Sequence, residues 1–226
     1  MALAASVNSA AAAERPAIAW NAIPYPAKRK AEMASYSQRH YGFRRYGLRN
    51  PKVIVQHLTE SSTYRPIWTM FAQDVADGEL GELPGVCSHF IIDQNGKIHQ
   101  LVPISLMCRH TVGLNWTAIG IEHVGFKPSD VLGRAKVRAA SLRLTNWLRC
   151  REGIEIKNVI GHNESVQSRY HHERVARLRS QTHDDFPTSS MRKYRAALRK
   201  LTCCALRASA SSATRPLRSR IPACGC

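Results

Sequence analysis

The chain has 226 residues, of which 44% are hydrophobic, so it is long enough to bury the core of one domain. Lys and Arg outnumber Asp and Glu by 33 to 16, which gives a formal net charge of +17. A surface this basic attracts anionic polymers, whether nucleic acid, teichoic acid or carboxylate-bearing peptides, and charge alone does not choose between them. No apolar run approaches the roughly 20 residues that a membrane-spanning helix needs, so we expect no membrane span.

Composition divides the chain into four segments. Residues 1–23 are rich in Ala but lack the basic start and continuous apolar stretch of a signal peptide, so we expect a flexible leader, and export is not established. Residues 24–50 form a basic helical segment that we expect to pack on the fold. Residues 51–202 form a single domain. Residues 203–226 have no periodicity and are predicted to be a disordered basic tail.

The seven cysteines do not indicate a zinc ribbon. Their count is odd and they contain no CxxC pair, which also argues against a fully paired set of disulfides. Cys87, Cys108 and Cys150 lie in apolar contexts and are predicted to be buried thiols, although a bridge between Cys87 and Cys108 remains open.

The first predicted elements are a helix, a strand and a second helix. Residues 27–40 predict a short basic helix with Met33, Tyr36 and His40 near one face. The β-branched run KVIVQH then predicts a strand that ends at His57. In the next segment, YRPIWTMFAQDVAD, Pro66 suits a first helical turn. Its apolar residues have the spacing of an amphipathic helix, namely Trp68, Phe71, Ala72 and Val75.

A hairpin follows in the middle of the chain. The segment HFIIDQNGKIHQLVP contains two alternating strands around Asn95-Gly96, a pair that suits positive φ. TAIGIEHVG predicts another strand, and IKNVIGHNES predicts a strand that ends at Gly161-His162. Helices are expected over residues 134–150 and near the end of the domain. A hairpin among alternating strands and helices favours an α/β fold with a mixed central sheet flanked by helices.

Three histidines lie where the predicted strands and loops place functional groups. His57 and His162 each follow a strand, and His183 lies in a polar loop. Together they would make a zinc site with three protein ligands and one open position, although histidines so far apart in sequence have no diagnostic spacing. His171 and His172 are further candidate ligands, but their segment is typical of an exposed turn. Asp184 and Asp185 remain alternatives to His183.

Glu122 lies between two apolar strand positions of the predicted sheet. It therefore lies either on the surface of the sheet or in a site that excludes water. In the second case burial would raise the pKa of its carboxyl group and suit it to general acid or base catalysis.

Five segments of the chain resemble one family in the order in which they occur. They are VIVQHLT, CSHFIIDQNGKIHQLVP, CRHTVGLNWTAIGIEHVG, VIGHNES and QTHDDF, which span Lys52 to Phe186. The combination resembles the zinc-dependent N-acetylmuramoyl-L-alanine amidases of the type-two family, which are related to phage T7 lysozyme and to peptidoglycan recognition proteins.

The resemblance implies a role for each matching residue. His57 and His162 match the family's two histidine ligands of Zn²⁺, and His183 falls where relatives have Asp or Cys. Glu122 matches the acidic residue that some of these amidases use as a general base. His110 matches a histidine that lines the substrate cleft, and we expect it to stabilise the oxyanion. From charge alone, we expect Arg109 to contact carboxylates of the stem peptide.

Two departures from the family pattern concern the same chemistry. The position two before the third ligand is often Lys, and with His183 as that ligand it is Gln181. The position before His89 is Tyr in the T7-like branch and is Ser88 here. We therefore expect Glu122 to act as the catalytic acid–base group, as in the branch that lacks this tyrosine.

The resemblance implies hydrolysis of the amide bond between N-acetylmuramic acid and L-alanine in peptidoglycan or its fragments. The alternative is a non-catalytic module that binds muropeptides, because relatives in the recognition branch keep the fold and lose a metal ligand. We do not expect nucleic-acid binding, because no aromatic platform is interleaved with the basic residues. A monomer is favoured, and an extracellular or cell-envelope location follows only from the substrate.

Overall fold

The computed structural model describes residues 11–205. Five α-helices are present in this part of the chain: α1 (Ala27–Tyr41), α2 (Tyr64–Ala72), α3 (Pro128–Leu132), α4 (Ala135–Glu152) and α5 (Thr188–Leu198). It also contains eight strands: β1 (Ala11–Ala12), β2 (Ile18–Trp20), β3 (Val53–Leu58), β4 (Phe90–Ile92), β5 (Ile98–Gln100), β6 (Ala118–His123), β7 (Val159–Gly161) and β8 (Cys204–Ala205).

Six of these strands form a mixed central sheet in the order β2-β5-β4-β6-β3-β7. Strands β4, β6, β3 and β7 run parallel, whereas β5 is antiparallel to β4 and β2 runs parallel to β5. The predicted hairpin is confirmed, and Gly96 adopts a φ of 84° in its turn, as the sequence requires. The mixed sheet flanked by helices is therefore confirmed as well.

The sheet carries a different layer on each face. Along β4, Phe90 and Ile92 pack in the larger core cluster, which includes residues of α1, α4 and α5. Ile91 points the other way, into a cluster that includes Ile67 and Phe71 of α2. The period of two along the strand thus separates an α4/α5 face from an α2 face.

The helices follow the sequence prediction closely in position and less closely in length. In α1, Met33, Tyr36 and His40 are all fully buried, so this basic helix packs on the core. The helix α2 ends at Ala72, before the predicted stripe is complete. Val75 is therefore outside the helix and 58% exposed, contrary to the expectation that it is buried.

A buried arginine of α1 holds the segment that follows α2. The Arg29 guanidinium donates to the carbonyl oxygens of Phe71 and Gly85 at 2.8 and 2.9 Å, and its Nε lies 3.3 Å from Asp74 Oδ1. Because Arg29 is fully buried, these contacts satisfy its charge inside the protein. They fix residues 73–86 against the fold, and this loop borders the site described below.

The leader and tail predictions fail where the structure describes those segments. Ile18–Trp20 is an edge strand that pairs with β5, so this part of the expected flexible leader is ordered. The sequence does not indicate this strand, because three residues are too few to show the alternation of inward and outward side chains. Cys150 is not a free thiol. It forms a disulfide with Cys203, 53 residues later, because the ends of α4 and α5 lie side by side.

Cys87 and Cys108 are buried free thiols, as predicted. Ala11–Ala12 pairs with Cys204–Ala205, and residues 206–226 of the predicted tail lie outside the described residues. Within residues 11–205, no helix is both long and apolar enough to cross a membrane.

His40 links α1 to two distant loops through buried ion pairs. Its Nδ1 lies 2.9 Å from Glu173 Oε2 and its Nε2 lies 2.8 Å from Glu82 Oε2. Burial lowers the pKa of His40, but the hydrogen bonds and charges of the two carboxylates outweigh burial and raise the pKa above its ordinary value. Protonated His40 therefore stabilises the fold.

We predict that His40→Gln lowers the free energy of unfolding by about 3 kcal/mol at pH 6, the usual cost of removing one partner of a buried ion pair. A raised folded-state pKa gives stability that is present below the unfolded pKa of about 6.5 and is lost as pH rises through the folded value. The difference between wild type and variant should therefore shrink towards pH 9 in urea titrations. A difference that does not change with pH would contradict this role for His40.

Candidate active site

The carboxyl ends of three neighbouring parallel strands bring the predicted residues together. In the pairing of β3 with β6, His57 lies directly opposite Glu122. Strand β7 pairs with the other side of β3, and His162 follows its last residue, Gly161. Because parallel strands end at the same edge of a sheet, side chains distant in sequence converge there.

The loop after residue 181 reaches this edge through a close contact with Gly161. A Cβ atom on Gly161 would lie 1.9 Å from the carbonyl oxygen of Phe186, so only glycine admits the loop. The backbone N–H of Asn163 donates to the backbone carbonyl oxygen of Asp185 at 3.1 Å and fixes the position of the loop. As a result, the Asp185 side chain lies between the two strand-end histidines.

His57, His162 and Asp185 form a cluster of potential metal ligands, whose donor atoms all lie within 4.8 Å of one another. The Nδ1 atoms of His57 and His162 each lie 3.4 Å from a different oxygen of Asp185. Metal–ligand bonds of about 2.0–2.1 Å in a tetrahedral zinc site place neighbouring ligand atoms roughly 3.3 Å apart. The donor set and its spacing therefore fit a zinc ion.

His183 is outside this cluster. Its side chain is 48% exposed, and its Nε2 lies 3.2 Å from Glu79 Oε2. Its ring nevertheless lies beside the cluster, with its centroid 4.7 Å from that of His162. The structure thus favours the alternative third ligand, Asp185, over His183, because the turn at Asp184-Asp185 directs only the second carboxylate inwards.

The other candidate ligands also lie apart from the cluster. Asp184 accepts a hydrogen bond from the Asn163 side chain at 3.1 Å and is exposed. The ring of His171 packs against Gly113, where a Cβ would lie 2.2 Å from Nε2, and His172 is exposed. We therefore do not include either histidine in the site.

Glu122 is 8% exposed, and its Oε2 has no hydrogen-bond partner among the described residues. Burial raises the pKa of Glu122 to about 7, with the His57 charge acting against this shift and the Asp185 charge adding to it. A carboxyl group with this pKa exchanges a proton readily near neutral pH, which is what a general acid or base requires.

Two side chains contact the far nitrogen of His57. Its Nε2 lies 3.1 Å from His110 Nδ1 and 3.3 Å from Thr111 Oγ1. Burial and the neighbouring His57 lower the pKa of His110 well below its ordinary value, so His110 is neutral and can accept a hydrogen bond. The structure thus places His110 behind His57, where it can orient the ring.

Arg109 borders the cavity but is held by the protein itself. It is 4% exposed, and its guanidinium pairs with Asp77 and donates to the Glu82 carbonyl oxygen. Burial raises the pKa of Asp77, but hydrogen bonds from Arg109 and the Leu80 amide outweigh it and lower that pKa. The charge of Arg109 is therefore neutralised by a partner within the protein, and the structure gives no support to a contact between Arg109 and a peptide carboxylate.

The cluster lies in a cavity of about 460 Å³. One wall is apolar and consists of Ile67, Met70 and Phe71 from α2 with Phe126 and Pro128 from beyond β6. Six of the 16 acidic residues line this cavity: Glu60, Asp77, Glu79, Glu122, Asp184 and Asp185. Arg109 is the one lysine or arginine of the described residues to do so. In a chain of net charge +17, this cavity is thus strongly acidic.

Sequence patterns did not indicate several of the groups that complete the site. Asp77 ends the segment that was predicted to be helical, and Glu79 follows it; both lie in the loop after α2, and neither they nor Thr111 matched a functional pattern. The one available signal for Asp185 was its position beside Asp184 in a short polar loop.

The α/β sheet thus carries, at the carboxyl ends of its parallel strands, a His-His-Asp donor set of the kind that holds a catalytic metal ion in hydrolases. The family model for N-acetylmuramoyl-L-alanine amidase matches residues 47–186, and the chain belongs to this family. No curated protein matches the sequence.

Solved structures share the fold at low sequence identity. The endolysin N-acetylmuramoyl-L-alanine amidase LysCS from Clostridium intestinale URNW is 19% identical with a TM-score of 0.53, and the match covers 83% of this chain and 98% of that one. The N-acetylmuramoyl-L-alanine amidase LysC from the same organism is 20% identical with a TM-score of 0.53, over 82% of this chain and 99% of that one.

We predict that Arg109→Ala lowers the free energy of unfolding by about 3 kcal/mol, because it leaves the carboxylate of Asp77, whose side chain is only 12% exposed, without its partner. Thermal and urea unfolding at pH 7 would measure the loss. The matched control is Asp77→Asn with Arg109→Gln, which removes both charges and should recover part of the stability. A stable Arg109→Ala variant that has lost only substrate affinity would instead support a role in binding peptide carboxylates.

Proposed function

We propose that this chain hydrolyses the amide bond between N-acetylmuramic acid and L-alanine in peptidoglycan or its fragments, using Zn²⁺ held by His57, His162 and Asp185. The observation that carries the proposal is the convergence of these three donors beside the buried carboxyl group of Glu122, whose Oε2 has no hydrogen-bond partner within residues 11–205. Membership of the amidase family indicates which bond is cut and to which class the substrate belongs.

The donor set fits zinc in kind as well as in spacing. Two imidazoles and one carboxylate are typical ligands of a catalytic zinc site that keeps one position open. When bound, zinc supplies a Lewis acid that polarises the amide carbonyl and lowers the pKa of a coordinated water. His57, His162 and Asp185 would hold the metal ion at the wall of the cavity.

Glu122 carries the proton transfers. Its carboxylate accepts a proton from the attacking water and then returns it to the nitrogen of the leaving alanine. The pKa of about 7 matches both steps, because the carboxylate is basic enough to accept the proton and acidic enough to release it. Ser88 is fully buried and donates towards the Phe90 carbonyl oxygen at 3.5 Å, so it does not share this role.

His110 and Thr111 orient the first ligand. When Nδ1 of His57 binds a metal, its proton is on Nε2, which can donate to His110 Nδ1 or Thr111 Oγ1 at 3.1 and 3.3 Å. Such hydrogen bonds to a ligand histidine fix its tautomer and ring orientation. We therefore assign His110 a positioning role instead of direct stabilisation of the oxyanion.

His183 takes the position that the family often gives to Lys. With Asp185 as the third ligand, the position two residues before it is His183, not Gln181. The His183 ring lies beside His162 at the cavity wall and is exposed enough to meet a substrate. We assign it as the donor to the developing oxyanion.

The alternative of a non-catalytic muropeptide-binding module requires an incomplete ligand set. Here three donors and a general base lie together, which supports the enzyme. Zinc content and amide cleavage separate the two functions.

We predict that wild type binds one Zn²⁺ and releases the free peptide from a muramyl tripeptide. Asp185→Ala should lose the metal, whereas Glu122→Gln should keep the metal and lose about 10²–10⁴-fold in kcat, the usual contribution of a general acid–base group. Metal analysis and product chromatography measure both. A wild-type protein that holds no zinc yet binds the tripeptide would establish the binding module and refute the enzyme.

His183 offers a second test with a different readout. We predict that His183→Ala keeps one Zn²⁺ but lowers kcat by about 10²–10³-fold, as removal of an oxyanion donor does. His183→Lys should restore much of the rate without altering metal content. Loss of zinc from His183→Ala would instead make His183 the third ligand and contradict the assignment of Asp185.

A further inference from the structure

A second cavity lies apart from the proposed active site, and it shares no lining residue with it. It measures about 880 Å³, against about 460 Å³ for the active-site cavity. Its walls come from residues 13–19, the turn of the β4–β5 hairpin, the middle of α4 and residues 200–202. It therefore lies beside the edge strand β2, on the α4 face of the sheet.

This cavity has the opposite charge from the active site. Arg15, Lys97, Arg143 and Lys200 line it, and Glu14 is the one acidic residue to do so within residues 11–205. All four cations are exposed, and none of them forms an ion pair in the part of the chain that the structure describes. Four like charges around one cavity repel one another, so an anion bound among them would relieve that repulsion.

The flanking sequence offers no acidic side chain to balance these cations. Residues 206–226 contain four arginines and no Asp or Glu, and residues 1–10 contain no charged side chain.

The cavity lining disfavours a nucleic acid as that anion. No aromatic ring lines the cavity among the described residues, and its uncharged walls are small or aliphatic, as at Ala17, Ala140 and Leu201. Proteins that bind single-stranded nucleic acids stack the bases on aromatic side chains. A polyanion without bases needs only cations spaced along its path, and Arg and Lys both pair well with phosphate.

We propose that this basic cavity, lined by Arg15, Lys97, Arg143 and Lys200, binds a phosphodiester-linked polyol chain, an anionic polymer of the bacterial wall. Only the source of the polymer rests on the proposed function, because a wall amidase meets such chains beside its substrate. The site would retain the protein on the wall without contributing to amide cleavage.

The test measures binding of a synthetic glycerol-phosphate oligomer to the full chain. We expect the triple variant Lys97→Glu, Arg143→Glu, Lys200→Glu to bind it at least about tenfold more weakly than wild type at about 0.1 M salt, where exposed charges still act over roughly 10 Å. The matched control is Arg44→Glu, Arg49→Glu, Lys193→Glu, which makes the same change in net charge at exposed residues outside the cavity. It should lose less than about threefold.

The outcomes separate this site from the amidase proposal. Cleavage of the muramyl tripeptide should be unchanged in both triple variants, which also shows that they fold. If the first variant does not fold, the neutral set Lys97→Gln, Arg143→Gln, Lys200→Gln decides. Equal losses in both triple variants, or equally tight binding of a single-stranded oligonucleotide of the same charge, would overturn the proposal. Wild type that binds the oligomer through these residues but cleaves nothing would overturn the amidase alone.

Discussion

The arrangement of the site depends on the parallel pairing of β3 with both of its neighbours. This pairing sets His57 opposite Glu122 on one side and Gln56 opposite Gly161 on the other. A shift of one residue in either pair would turn the side chains at the strand end towards the opposite face. The register is held because β3 is buried on both faces, with Ile54 in the α4/α5 cluster and Val53 and Val55 on the other side.

This position gives the site its electrostatic character. Strand ends buried on both faces exclude water, so each ionisable group there depends on its neighbours for its charge state. Burial lowers the pKa of His57, and the two carboxylates more than reverse that shift. Asp185 shows the opposite balance, since burial raises its pKa and the histidines lower it to about 2. The cluster therefore combines a firmly ionised carboxylate with imidazoles that a divalent cation can hold in their neutral form.

Sequence reasoning located the parts of the site that periodic elements carry. His57, Glu122 and His162 each terminate or lie in an apolar strand with a recognisable pattern, but that pattern left their roles open, and the roles were assigned from the resemblance to the amidase family. The third member of the cluster could not be chosen from sequence, since His183, Asp184 and Asp185 lie in a loop without periodicity. The choice depends on a contact between Gly161 and the Phe186 carbonyl, more than twenty residues apart, which no local pattern records.

The same limit explains the other differences from the sequence prediction. Strand β2 is three residues long, too short for a period, and it exists because β5 offers an unpaired edge. Arg109 was expected to be free to meet a substrate because its partner, Asp77, lies 32 residues earlier, and no local pattern relates the two residues. Charge composition indicates how many ions a chain carries, but pairing decides which of them can meet a ligand.

The distribution of charge over the fold has a consequence for the proposed substrate. Acidic residues are concentrated in the cavity with the His-His-Asp cluster, whereas the separate cavity beside β2 is lined by cations that form no ion pair within residues 11–205. A uniformly basic surface would draw an anionic polymer to every face, including the catalytic one. Acidic groups around the cluster oppose the binding of such a polyanion there. On this argument the net charge of +17 and the acidic cleft are two parts of one arrangement, in which the proposed retention on the wall and the proposed amide cleavage would take place at different surfaces.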